Sequence, residues 1–97
     1  MFETQRQAAA ALRQQLAPHK READKLEKEL GQLHAQLAAV EQRLGDSAIY
    51  EAARKDELRD ALAEQARLKS READLEERWM LALETLEALQ AELEAAS

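Results

Sequence analysis

EQRLGDSAIYEAARKDEL, residues 41 to 58, breaks a chain that otherwise reads as charged helix for almost its whole length. Gly45, the Asp46-Ser47 pair and the apolar Ile49-Tyr50 are the residue types that end one helix and begin another. Glycine adopts positive φ without a Cβ penalty, which suits a helix C-terminus, and Asp46 or Ser47 is suited to cap the helical turn that follows. The stretch therefore reads as the tip of a hairpin. Ile49 and Tyr50 are expected to fold back as a lid over Leu44 and Val40, or to present an exposed edge to a partner.

Upstream of the tip, Ala9, Leu16, Ala23, Leu30, Leu37 and Leu44 continue from Phe2 at intervals of seven residues. Leu12, Leu26, Leu33 and Val40 fill the second seam position, with polar exceptions at Gln5 and His19. Apolar residues in this heptad pattern make a coiled-coil stripe. Downstream, Leu58, Leu68, Leu75, Trp79, Leu86, Leu89 and Leu93 with Ala61, Ala82 and Ala96 form a second stripe, broken by Gln65 and Glu72.

If the chain turns back near residue 49, facing seam residues have numbers that sum to a constant. A sum of 98 places Leu37 against Ala61, Leu30 against Leu68, Ala23 against Leu75, Leu16 against Ala82, Ala9 against Leu89 and Phe2 against Ala96. Most of these layers set an alanine against a larger side chain, the alternation that fills a thin core. The same register brings together Glu41 and Lys55, Glu27 and Lys69, Lys20 and Glu76, Glu29 and Arg71, Glu22 and Arg78, and Arg43 and Glu57. Exposed pairs of this kind contribute only ~0.2–1 kcal/mol each, but a slip of one heptad scrambles them, so they specify register.

The expectation is an all-α single domain over residues 1–97, an antiparallel two-helix coiled-coil hairpin. Pro18 removes a backbone donor and disfavours helix at Ala17, so a kink or short break is expected there. Residues 1–17 then form a short N-terminal helix packing back on the second arm, 18–44 the first arm, 45–52 the tip and 53–96 the second arm. At ~1.5 Å per residue the second arm reaches about 65 Å. A monomeric hairpin is the expected state.

Composition agrees. Charged residues make up 35% of the chain, aromatics only 3%, Gly occurs twice and Pro once. Ala, Leu, Glu, Gln, Lys and Arg dominate, and all are strong helix formers. With Phe2, Tyr50 and Trp79 as its aromatics, the chain lacks the bulk for a thick globular core, and burial is confined to a seam. No cysteine is present, no apolar run exceeds Ala8 to Leu12, and no basic-then-apolar start occurs. No disulfide framework, membrane span or signal peptide is expected, and the setting read from this is cytoplasmic.

Catalytic chemistry finds little footing. Gly31 and Gly45 are too far apart for a phosphate-binding loop, and neither precedes lysine. His19 and His34 have no partner at the usual metal-ligand spacing, and no metal or cofactor is expected in this chain. His34 falls at the seam edge, while His19 is placed beside Trp79. Glu72 occupies a seam position and reads as a snorkelled or register-setting residue, or as a contact for a partner. The carboxylates lie on solvated faces that offer no pocket for acid–base work. The chain therefore reads as non-catalytic.

Two groupings remain as candidate partner contacts: Lys20, Arg21, Lys25 and Lys28 on the first arm, and Ile49, Tyr50, Arg54 and Lys55 at the tip. The net charge is −6, and residues 72–97 carry Arg78 against eight acids, so phosphate would be met by the first arm or the tip. The basic stretch has no interleaved aromatics for stacking single-stranded bases. Gly31 falls at an outward position, where it costs about 1 kcal/mol relative to alanine.

LAPHKREADKLEKELGQLHAQLAAVEQRLGDSAIYE, leading into the tip, and LEERWMLALETLE on the returning arm resemble the C-terminal coiled-coil domain of the F-type ATP-binding-cassette (ABC-F) proteins, the soluble branch that includes the YheS and Uup types. The D-S-x-x-Y tip followed by E-R-W carries the resemblance, which covers roughly residues 16 to 95. It implies a fragment of a longer cytoplasmic protein whose ATPase domains bind ATP and Mg²⁺ and act on the ribosome. The arm would then touch ribosomal RNA or ribosomal protein. Through the Uup type the resemblance implies, as an alternative, a DNA-binding coiled coil that uses Lys20, Arg21, Lys25, Lys28, Arg54 and Lys55. A self-association or spacer module is the reading from a third class.

Overall fold

A computed structural model describes residues 2–96, with the side chain of Phe2 left out. It contains two long helices, α1 (Phe2–Leu44) and α2 (Lys55–Ala96), joined by two short 3₁₀ turns, Ser47–Tyr50 and Ala52–Arg54. The chain is an all-α helical hairpin, as its two heptad stripes require.

Burial follows the heptads. On α1, Ala9, Leu16, Ala23, Leu26, Leu30, Leu33, Leu37 and Val40 are buried; on α2, Ala61, Leu68, Leu75 and Ala82 are buried. The remaining α2 seam positions, Leu58, Gln65, Glu72, Trp79, Leu86, Leu89, Leu93 and Ala96, are half-buried. Leu62, Met80, Leu81 and Leu83 are apolar but out of phase with the stripe, and all four are exposed. Each buried leucine contributes about 1.5–3 kcal/mol of transfer free energy, which makes the seam the main source of stability. The layer pairing Phe2 with Ala96 lies outside the described residues.

The helices pack as two compact units: one holds the residues up to Glu27 together with those from Glu77 on, and the other is Lys28–Glu76. In the first unit, Arg78 Nη2 donates to Glu22 Oε1 at 3.2 Å. In the second, Arg71 Nη2 lies 3.8 Å from Glu29 Oε2. Both pairs are those the antiparallel register calls for.

Arg43 departs from that register. It meets Glu64 at 3.7 Å instead of Glu57, whose Oε2 accepts two hydrogen bonds from Arg54, from Nε at 2.9 Å and Nη2 at 2.6 Å. Among the described residues, Glu41 and Lys55 form no ion pair.

Of the kink or short break expected at Pro18, the break is absent, and the segment before it is not a separate short helix: α1 runs without interruption from Phe2 to Leu44 with Pro18 inside it. Pro18 is exposed, so its ring lies outside the packed seam. Leu16 and Ala23 are buried on either side of it, and that packing offsets the roughly 3 kcal/mol that an interior proline costs. The second arm begins at Lys55, not at residue 53, because Ala52–Arg54 forms a 3₁₀ turn.

Candidate interaction surfaces and the hairpin tip

Gly45 does not use the positive φ expected of it; among the described residues no glycine does. Its N–H instead donates to both Glu41 O at 2.9 Å and Gln42 O at 3.2 Å, and Asp46 N–H donates to Arg43 O at 3.2 Å. The last turn of α1 thus tightens in the right-handed sense, and i→i+3 bonds take up carbonyls that a left-handed cap would have served. A Cβ at Gly45 would stand 3.4 Å from Glu41 O, ordinary contact distance. No left-handed geometry demands glycine at this position.

Asp46 caps the next turn as its residue type suggests, with Oδ1 accepting from Ala48 N–H at 3.0 Å. Glu51, extended at φ −68° and ψ 148°, separates the two 3₁₀ turns and redirects the chain into α2. Asp56 and Glu57 in the first turn of α2 place negative charge at the positive end of its dipole.

Ile49 and Tyr50 divide the roles assigned to them jointly. Ile49 is buried, 2% exposed, and so does not belong to an exposed edge. The Tyr50 side chain stays 58% exposed while its hydroxyl donates to Leu44 O at 2.6 Å, satisfying one of the free carbonyls that end α1. That bond was not legible in the sequence, since it depends on the direction in which the 3₁₀ turn points the ring.

The two cations at the tip differ. Arg54 is tied to Glu57, whose hydrogen bond first and charge second raise the guanidinium pKa above its ordinary value. Lys55 is exposed and forms no ion pair among the described residues. On α1, Lys20, Arg21, Lys25 and Lys28 are all exposed and likewise form no ion pairs among the described residues. Arg21, Lys25 and Lys28, spaced four and then three apart, share one face of the helix.

Within the unit Lys28–Glu76, a groove of about 420 Å³ has Leu33 and Leu68 in its floor, with Gln36, Arg67, Arg71 and Asp74 around it. In the same unit, His34 Nε2 lies 2.9 Å from Glu72 Oε2, with the two side chains 54% and 29% exposed. Glu72 therefore reaches out from its seam position to the edge of the partner helix. The numerical register missed this contact because it compares residues at one level. Helical side chains lean toward the N-terminus of their own helix, so on antiparallel helices His34 and Glu72 converge along a diagonal. Arg43 and Glu64 meet in the same way. Among the described residues no helix is long and apolar enough to cross a membrane.

No protein-family model, curated protein or solved structure matches the chain.

Proposed function

We propose that this hairpin is a non-catalytic interaction arm of a cytoplasmic ABC-F ATPase that works on ribosomes, and that it contacts ribosomal RNA or protein through α1 and the tip. The observation that carries the reading is the set of exposed cations that form no ion pair among the described residues, Lys20, Arg21, Lys25 and Lys28 on α1 and Lys55 at the tip, on a chain whose net charge is −6. Cations left unneutralised on an acidic protein suit an anionic partner, and phosphate is the anion that clustered Lys and Arg serve best. The resemblance of the tip and returning arm to ABC-F coiled coils supplies the ribosome as that partner. ATP and Mg²⁺ belong, in this reading, to ATPase domains of the parent protein.

The test is binding of the labelled chain to purified ribosomes, with duplex DNA in parallel, at about 0.15 M salt, where exposed charges are screened beyond ~8 Å. Two charge reversals accompany it: Lys20→Glu/Arg21→Glu/Lys25→Glu on α1, and Arg54→Glu/Lys55→Glu at the tip. Saturable ribosome binding lost in the α1 variant and weakened in the tip variant is the expected result. Failure of the wild-type chain to bind, or binding indifferent to both reversals, overturns the proposal. Preference for duplex DNA over ribosomes replaces it with the DNA-binding alternative.

A further inference from the structure

We propose that His34, Glu72 and Glu76 form a three-ligand site for a divalent transition-metal ion, with zinc the best match, that ties α1 to α2 within the unit Lys28–Glu76. The three side chains each offer one ligand atom, and these atoms lie within 4.8 Å of one another. The inference is independent of the proposed interaction with ribosomes.

Ligand chemistry selects the ion. One imidazole nitrogen with two carboxylate oxygens is a mixed, borderline donor set that suits zinc, cobalt or nickel, whereas magnesium and calcium favour all-oxygen coordination. The set is also more than a run of surface acids, because its nitrogen comes from the opposite helix. Glu72 stands where the heptad would place an apolar side chain, and it gives up that packing to reach His34 at 2.9 Å. Glu76 is exposed and makes no ion pair among the described residues.

Charge points the same way. Glu72 and Glu76 are four apart on α2, where like charges repel across one helical turn. No cation forms an ion pair with either carboxylate among the described residues apart from His34, should it be protonated. A divalent ion would neutralise both carboxylates at once.

The three ligand atoms start near the spacing that a bound ion imposes. Tetrahedral ligands at zinc distances of about 2.0–2.2 Å stand about 3.4 Å apart. His34 Nε2 and Glu72 Oε2 are already closer than that. Glu76 is exposed and its ligand atom lies within 4.8 Å of the other two, so the site requires its side chain to close the remaining distance. Three protein ligands leave a fourth position open to solvent, for water or for a ligand supplied from outside the chain.

Zn²⁺ titration of the full chain in a non-chelating buffer, followed by calorimetry and thermal melting, tests the site, and Co²⁺ provides a spectroscopic readout through its ligand-field absorption bands. The wild-type chain is expected to bind one ion and to melt at a higher temperature with zinc present. His34→Gln and Glu76→Gln, both at exposed positions that leave the seam intact, are expected to weaken binding by more than the roughly 10–100-fold that loss of an outer hydrogen-bonding partner costs, and to abolish the melting shift. His19→Gln is expected to bind as wild type does. Absence of saturable binding, equal binding by His34→Gln, or equal affinity for Mg²⁺ would each overturn the proposal.

Discussion

Ile49 shows how much one side chain can decide at the turn. It is 2% exposed, with Val40 and Ala61 also buried in the same unit. Truncation to alanine removes buried carbon that water would not replace, so Ile49→Ala is expected to destabilise the hairpin by about 2–4 kcal/mol, read from a denaturant midpoint. Gly31 is the opposite case. It sits inside α1 with nothing within 4 Å of where a Cβ would stand. Gly31→Ala is expected to stabilise by about 0.5–1 kcal/mol, seen as a raised melting temperature; a decrease would contradict the open space around it. The Arg54 guanidinium is charged at ordinary pH with or without Glu57, and the pair raises its pKa further. Its pKa is raised, so whatever the pair contributes is present through neutral pH and is lost on the basic side only beyond the ordinary arginine range.

At the scale of the helices, two local rules are overridden. Pro18 is a helix breaker by intrinsic preference, yet α1 passes through it because buried Leu16 and Ala23 hold the flanking turns against α2. Pro18→Ala restores a backbone donor and is expected to raise stability by roughly 1–3 kcal/mol, with little change in helix content by circular dichroism. A large gain in helicity would show instead that α1 is broken there in solution. Glu72 is the polar interruption of the α2 stripe, half-buried and bound to His34. Glu72→Leu completes the stripe and is expected to stabilise the fold by about 1 kcal/mol, since a packed apolar side chain commonly outperforms a partly desolvated polar contact. Equilibrium unfolding in urea would measure the difference.

For the molecule as a whole, charge distribution matters more than any one contact. The acidic excess falls on the C-terminal residues, while α1 carries Lys20, Arg21, Lys25 and Lys28 exposed to solvent. If these meet phosphates, log affinity falls with log salt at about 0.9 per phosphate neutralised on duplex DNA and about 0.7 on single strands. Reversing all four to glutamate is expected to flatten that dependence as well as to weaken binding, and a salt titration of wild type and variant would measure both. An unchanged slope would place the contact elsewhere.

The two helices, their seam and the position of the turn between them were legible from heptad spacing, because apolar side chains seven residues apart on a helix have one common face to bury. Ala61, Leu68, Leu75 and Ala82 are buried where that spacing places them, and Leu62, Met80, Leu81 and Leu83, outside it, are exposed. The Glu22–Arg78 and Glu29–Arg71 pairs follow from the same register. Asp46 was readable alongside Ser47 as a candidate cap, and it is the Asp46 acceptor that reaches the N–H two residues on. What required three dimensions was everything settled by direction or competition. The right-handed closure at Gly45, the Tyr50 hydroxyl on Leu44, the uninterrupted helix at Pro18, and the diagonal contacts of Arg43 and His34 all depend on where a backbone or side chain points once both helices are in place. Spacing along a chain records which residues share a face, but it does not record the tilt of a side chain along the helix axis or which of two nearby partners takes a carboxylate first.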